Sequence, residues 1–180
     1  ADKLSDIREK MAAAEADMHV VTTIDDICWT LNIRGDDIDF FPLILSYALM
    51  DDKAYHLYID ERKLSDEIKA HLTADGVVLH PYNDIYEDIK HIPADAKLML
   101  DASKVNYAMF CNIPDSVKKI DVMNPEMIFK NVKNPVELEN IRKAQIKDSI
   151  AHLRFMKWLK ENVGKIEMTE ISVSDKLDEF

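Results

Sequence analysis

The first apolar residues of the chain recur at helical spacing among charged neighbours: Leu4, Ile7, Met11 and Ala14. This periodicity predicts an amphipathic helix over residues 1–16. The apolar segment 19–22 that follows predicts a short strand. Thr23, with Asp26 three residues later, is typical of the N-cap of a second helix, which we expect to reach Leu31.

The middle of the chain alternates between strand and helix patterns. Two apolar segments, 43–50 and 54–59, flank a short charged turn and predict a β-hairpin. Further strands are predicted at 77–79, 97–100 and 117–123, and the helices between them are expected to begin at the N-caps Ser65, Asn83 and Ser103. This alternation predicts an α/β fold with a mixed sheet flanked by helices on both faces.

Near Lys133 the pattern changes to long helices. Three residues typical of a helix start lie close together here: Asn134, Pro135 and Glu137. They provide an N-cap, an N1 proline and a capping-box acid. The helix predicted over 135–162 is much longer than any before it, and Gly164 is expected to end it.

A second helix of this region is predicted to begin at Thr169 and to be still running at Phe180. The chain also starts at Ala1 without an initiator methionine. We therefore expect a fragment with two parts, namely an α/β domain at 1–132 and the opening helices of an incomplete second domain at 133–180.

The charge of the chain argues against nucleic acid as a partner. The sequence has 34 Asp and Glu against 23 Lys and Arg, a net charge of -11, and no window carries a basic cluster that could neutralise phosphates. The longest uncharged apolar segment, 40–50, is too short to cross a bilayer and contains Pro42. We therefore expect neither nucleic acid nor a membrane as a partner.

The two cysteines, Cys28 and Cys111, each lie in an apolar stretch without metal-ligand spacing. We expect two buried free thiols, which suits a reducing cytosol. None of the six histidines lies at helical spacing from another, so the sequence gives no support for a zinc-type site, and each histidine is expected at the surface or at a strand edge. With three scattered glycines, a Gly-rich phosphate loop is excluded.

One group of residues at a helix end could carry chemistry: Trp29, Asn32, Arg34, Gly35 and Asp37. In a structural interpretation Trp29 fills the core, Gly35 supplies an unusual backbone angle, and Arg34 pairs with Asp37 to hold the loop. In a functional interpretation Arg34 and Asn32 project into a cleft shared with the incomplete second domain. The residues alone favour the structural interpretation.

At this motif the sequence resembles the aminopeptidase P family, the Xaa-Pro aminopeptidases of the pita-bread metallopeptidase group. The resemblance begins with the run at 21–27 and continues through the group just described. Further matching positions before the long helix are Pro42, Ser46, Tyr47, His80, Pro81 and Tyr82. Matching positions in the two long helices include Arg142, Lys143, Ala144, Lys147, Asp148, Trp158 and Leu159, followed by 169–172 and 175–177.

The resemblance implies a creatinase N-terminal-like α/β domain, the second domain of a three-domain enzyme, followed by the first helices of a truncated pita-bread domain. The family removes the N-terminal residue from peptides with proline in second position. Its two Mn²⁺ ions are held by two Asp, a His and two Glu. No position of this chain matches those ligands, so the resemblance implies no catalytic and no metal-binding residue here, and an inactive fragment.

Further expectations concern partners and location. The resemblance implies a cytoplasmic parent enzyme that is a homodimer. The fragment is expected to be a monomer, or an artefactual dimer formed through the apolar stripe Leu138, Ile141, Ile150 and Leu153. The alternative is a stand-alone creatinase-N-type module that binds peptides or proteins without enzymatic activity.

Overall fold

The computed structural model describes residues 2–180 and divides the chain into two compact units. The first unit ends at Asn131 and the second comprises Val132–Phe180. No helix within residues 2–180 combines the length and the apolar character that a membrane crossing requires.

The first unit alternates strands and helices. Its strands are β1 Met18–Val21, β2 Ser46–Met50, β3 Tyr55–Ile59, β4 Val77–His80, β5 Lys97–Leu100 and β6 Lys118–Asp121. Its helices are α1 Asp2–Ala13, α2 Ile24–Leu31, α3 Asp66–Ala74, α4 Ile85–Asp88, α5 Tyr107–Asn112 and α6 Pro125–Asn131. Two 3₁₀ turns, Glu61–Lys63 and Ile89–His91, follow β3 and α4.

The strands form one six-stranded sheet in the order β4-β3-β2-β1-β5-β6. The hairpin β2–β3 is antiparallel, as is the pair β1–β2, whereas β3–β4, β1–β5 and β5–β6 are parallel. The parallel pairs are joined by connections that contain helices, which is the geometry that parallel pairing requires. The prediction of an α/β fold with a mixed sheet flanked by helices is confirmed.

Alternate residues of each central strand pack into two separate cores, one on each face of the sheet. In β3, Tyr55 and Leu57 join the core that contains residues of α1, α2 and α3, while Tyr58 joins the core that contains residues of α4 and α5. Tyr55, Leu57 and Tyr58 are all at most 1% exposed. The sheet is therefore covered on both faces, as the near-continuous apolar pattern of its central strands predicts.

Predictions about Ser103, Cys111 and His19 are wrong. The helix expected to begin at Ser103 begins at Tyr107, with Asn106 as N-cap, because Ser103 instead donates from its hydroxyl and its N–H to Oδ1 of Asp101 in a turn after β5. Cys111 is exposed, although Cys28 is buried, and both thiols are free. His19 is completely buried rather than at the surface.

The second unit contains α7 Pro135–Asn162 and α8 Glu170–Asp178. The capping box predicted at the start of α7 is present: the Asn134 side chain accepts from the Glu137 N–H, and the Glu137 carboxylate accepts from the Asn134 N–H. The expectation that α8 is still helical at Phe180 is wrong, since the helix ends at Asp178. Phe155 is the buried residue of α7, and its ring lies 6.3 Å from that of Trp158.

Candidate functional site

The candidate residues lie on the loop that follows α2. Asn32 is the C-cap of that helix and has a left-handed backbone, with φ of 53°. Asparagine tolerates this conformation better than most residues, and its N–H closes the last turn on Cys28 and Trp29. The side chain of Asn32 is exposed and has no hydrogen-bond partner within residues 2–180.

Arg34 closes the end of α2. Its Nη1 donates to the carbonyl oxygen of Cys28 at 3.0 Å and to that of Ile33 at 2.7 Å. A cation at the C-terminus of a helix satisfies free carbonyls and opposes the negative end of the helix dipole. In the described part of the chain the hydrogen bonds of this exposed guanidinium involve Nη1 alone, so its other donors remain available.

Asp37 holds the loop through a different partner from the one expected. Both of its carboxylate oxygens lie 2.6 Å from Nζ of Lys63, and Oδ2 accepts from the N–H of Leu45 at 2.7 Å. The hydrogen bond from Lys63 lowers the pKa of Asp37 below its ordinary value. The expected ion pair between Arg34 and Asp37 is therefore wrong, because the 3₁₀ turn after β3 brings Lys63 to the carboxylate instead.

Gly35 occupies a position that has no room for a side chain. A Cβ atom at this position would lie 2.9 Å from Cβ of Ile44 and 3.3 Å from the carbonyl oxygen of Leu43. Gly35 is not among the glycines with positive φ, which are Gly76 and Gly164, so the expected unusual backbone angle is wrong. The glycine allows the outgoing and returning arms of the loop to approach each other.

The tip of the same loop exposes two aromatic rings. Phe40 is 89% exposed and Phe41 is 61% exposed. An isolated bridge between Ile38 and Phe41 closes the tip, and Phe40 adopts a left-handed backbone with φ of 67°. A bulky residue in this region is unusual, and such outliers are found mainly where a loop has a function. The sequence analysis did not predict these exposed rings, although two consecutive phenylalanines before Pro42, in a polar loop, could have indicated them.

Two cavities open beside the loop. The smaller, about 220 Å³, is lined by residues that include Asn32, Arg34 and Lys63. The larger, about 520 Å³, lies at the ends of β3 and β4, and its polar lining includes Asp60, Glu61, Lys63, Tyr82, Asn83 and Asp84. Because Lys63 lines both cavities and binds Asp37, the loop and the two cavities form one continuous candidate surface.

A buried polar group beneath α6 was also missed by sequence analysis. His19 donates from Nδ1 to the carbonyl oxygen of Met99 at 3.1 Å, and its Nε2 lies 3.2 Å from Oε2 of Glu126. Asn124 contacts Asp26, which also pairs with Lys130 of α6 at 2.6 Å. These contacts anchor α6 to the sheet and to α2.

The described residues do not fit a dinuclear metal centre. Within residues 2–180 no group of three or more His, Cys, Asp or Glu side chains converges to hold a metal ion. The candidate loop contributes a single well-placed carboxylate, Asp37, and Lys63 already neutralises it. Hard divalent cations need several oxygen ligands, so no metal-dependent step can be assigned to these residues.

Comparison with known proteins gives a consistent picture. The sequence pattern of the family described as the Creatinase/Prolidase N-terminal domain matches residues 1–137. The chain is 32% identical to Xaa-Pro aminopeptidase 1 of Dictyostelium discoideum, over 99% of this chain and 29% of that protein. It therefore spans less than a third of the length of that relative.

Solved structures agree with the fold. A crystal structure of X-prolyl aminopeptidase from Caenorhabditis elegans, described as a cytosolic enzyme with a di-nuclear active site, superposes with a TM-score of 0.86 at 31% identity. The match covers 99% of this chain and 30% of that one. The Xaa-Pro dipeptidase of Bacillus anthracis shares the fold alone, with a TM-score of 0.70 at 18% identity over 98% of this chain and 47% of that one.

Proposed function

Since the chain belongs to the Creatinase/Prolidase N-terminal domain family, we propose that it is a non-catalytic part of a metal-dependent Xaa-Pro aminopeptidase. The parent enzyme would remove the N-terminal residue from peptides with proline in second position. The observation that carries the proposal is similarity to Xaa-Pro aminopeptidases along 99% of the chain. Residues 1–132 would be its second α/β domain and 133–180 the start of its catalytic domain.

In the intact enzyme this part would pack on the catalytic domain and narrow the access of substrate. The loop after α2 suits that role, because specific contacts hold its base while its tip exposes polar and apolar groups. Asp37 and Gly35 fix its base, while Asn32 and the remaining donors of Arg34 are available to a peptide. A guanidinium and an amide can bind the carbonyl oxygens of an extended peptide.

The metal would come from residues outside this chain. Two Mn²⁺ ions are expected in the catalytic domain of the parent enzyme, where they would polarise the scissile carbonyl and activate water. The described residues offer no such ligand group. We therefore expect the 180-residue chain to be inactive, and the parent enzyme to be a cytoplasmic homodimer.

The test is made on the full-length enzyme that contains this chain. Arg34→Ala should raise KM for Xaa-Pro peptides roughly tenfold, since a hydrogen bond from a charged donor contributes about 1.5–3 kcal/mol. Arg8→Ala is the matched control, because Arg8 also donates to a main-chain carbonyl, that of Asp51, but lies on α1. An unchanged KM in Arg34→Ala with normal stability would exclude a role for Arg34 in the cleft.

A second candidate function rests on the larger cavity. Its volume of about 520 Å³ can hold a short peptide segment, and Asp84, whose carboxylate forms no ion pair within residues 2–180, can bind a basic residue of that peptide. In this alternative the chain is a stand-alone module that binds peptides or proteins without hydrolysing them.

Two observations distinguish these functions, namely peptide binding by the isolated chain and the sequence of the coding region downstream. Saturable binding of a basic peptide to the chain, lost in Asp84→Asn, would favour the module. A downstream coding region that supplies two Asp, one His and two Glu ligands, together with Xaa-Pro hydrolysis by the longer protein, would favour the enzyme.

A further inference from the structure

Two histidines meet on the outer strands of the sheet. His56 lies on β3 and His80 on β4, and the parallel register pairs His56 with Val78 and Tyr58 with His80. Paired residues share a face of the sheet, so both imidazoles lie on the same side. Nδ1 of His56 is 2.9 Å from Nε2 of His80, and each side chain is 26% exposed.

A carboxylate faces the outer nitrogen of each ring. Nε2 of His56 lies 3.7 Å from Oδ2 of Asp51, and Nδ1 of His80 lies 3.9 Å from Oδ2 of Asp88. These distances exceed a direct hydrogen bond but allow electrostatic attraction. The four side chains therefore lie in the order Asp51, His56, His80 and Asp88, with the two imidazoles between the two carboxylates.

Both carboxylates are held independently of the histidines. Asp51 Oδ1 accepts from the N–H groups of Lys53 and Ala54 at 2.8 and 2.7 Å. Asp88 Oδ2 accepts from the hydroxyl of Tyr58 at 2.9 Å. The two carboxylates therefore have fixed positions beside the outer nitrogens, on the side where carboxylates stand behind metal-binding histidines.

The proton positions on the two rings depend on each other. Each neutral imidazole carries a single N–H. If both rings direct it toward Asp51 and Asp88, two lone pairs face each other between the rings. If one ring places its proton between them, its outer nitrogen presents a lone pair to a carboxylate. A cation between His56 Nδ1 and His80 Nε2 would leave both outer N–H groups directed toward Asp51 and Asp88.

We propose that His56 and His80 form a binding site for a divalent transition-metal cation of the zinc class. Imidazole nitrogens suit Zn²⁺, Ni²⁺ and Cu²⁺ rather than Mg²⁺ or Ca²⁺. With Zn–N bonds of about 2.0–2.1 Å at tetrahedral angles, the two nitrogens would separate to roughly 3.3 Å, a small side-chain adjustment from 2.9 Å. No third His, Cys, Asp or Glu within residues 2–180 completes a ligand group, so water fills the remaining positions.

The test is a calorimetric titration of the intact chain with Zn²⁺ at neutral pH. One saturable equivalent is expected in the wild-type chain, and both His56→Gln and His80→Gln should lose it. His71→Gln and His91→Gln are matched controls that should keep it, because each of these exposed histidines also lies near one carboxylate, of Asp75 and Glu87 respectively. Absence of saturable binding, or binding that survives in both His56→Gln and His80→Gln, would overturn the site.

Two further measurements test the site in chains that retain both histidines, so that misfolding of a histidine variant cannot explain the outcome. Asp88→Asn retains both imidazoles and should weaken Zn²⁺ binding by roughly tenfold or more through loss of the carboxylate beside His80. Cu²⁺ bound to the wild-type chain should show two equatorial nitrogens by electron paramagnetic resonance. A copper spectrum with oxygen ligands alone would contradict the assignment of the two histidines.

Discussion

Nε2 of His19 lies 3.2 Å from Oε2 of Glu126, and both side chains are completely buried although 107 residues separate them. The other carboxylate oxygen, Oε1 of Glu126, has no hydrogen-bond partner among residues 2–180. This pair joins the central strand β1 to α6. The stability of the first unit therefore depends on a polar contact inside its apolar core.

Glu126→Ala should lower the free energy of unfolding by about 1–3 kcal/mol, because it leaves Nε2 of the buried His19 ring without its partner. Urea denaturation of the purified chain measures the change. Glu67→Ala is the control, since Glu67 is exposed on α3 and should change stability by no more than about 0.5 kcal/mol. A loss as small as that of Glu67→Ala would contradict a structural role for the pair.

The Asp37 contact predicts a pH dependence. Because the folded-state pKa of Asp37 is lowered from 3.8 by Lys63, its contribution is fully present above that ordinary value and is lost as pH falls through the lowered pKa. Asp37→Asn should therefore cost about 1–2 kcal/mol near pH 7 and progressively less in acid.

Denaturation of both chains between pH 7 and pH 2.5 checks this prediction. The neighbouring Asp36→Asn serves as the control, because Asp36 is exposed and its side chain forms no hydrogen bond within residues 2–180. A difference between wild type and Asp37→Asn that stays constant across this range would show that the ion pair with Lys63 does not form in solution.

Gly35 and Gly76 should respond differently to the same substitution. Asn tolerates the left-handed backbone of Gly76, where φ is 83° and no atom lies within 4 Å of an added Cβ, so Gly76→Asn should cost less than about 1 kcal/mol. Gly35→Asn should cost about 1–3 kcal/mol, because its Cβ would overlap Ile44. Thermal denaturation of the two variants side by side tests the contrast, and equal losses would mean that the loop adapts without cost.

The two thiols should differ in reactivity. Cys111 is exposed, whereas Cys28 is buried and its burial raises its pKa, which reduces the thiolate fraction at neutral pH. A thiol reagent should label one cysteine of the native chain and both after denaturation. In Cys111→Ser the native chain should not react on the same timescale, and rapid labelling of that variant would contradict the packing of α2.

Local signals in the sequence were sufficient for much of the fold. Strand β5 has the predicted bounds, and α7 begins at the predicted capping box, because both depend on neighbouring residues. Ser103 was assigned wrongly as a cap because serine also forms turns by bonding to a nearby carboxylate, here Asp101.

The polar contacts of the fold could not be predicted in the same way. His56 and His80 are 24 residues apart and meet only because β3 and β4 pair in parallel. Lys63 reaches Asp37 across 26 residues for a similar reason, since the turn after β3 returns to the loop after α2. Spacing along one helix or strand contains no information about such pairs.

The exposed ring of Phe40 on a left-handed backbone has a consequence for protein engineering. The left-handed backbone opposes the folded state of the isolated chain, and the exposed ring contributes almost no apolar burial that would offset it. Stabilising substitutions are therefore easiest to find at this loop tip, where glycine or asparagine would relieve the backbone. A variant selected for thermal resistance alone would tend to lose Phe40, so selection for stability and selection for recognition would choose different residues here.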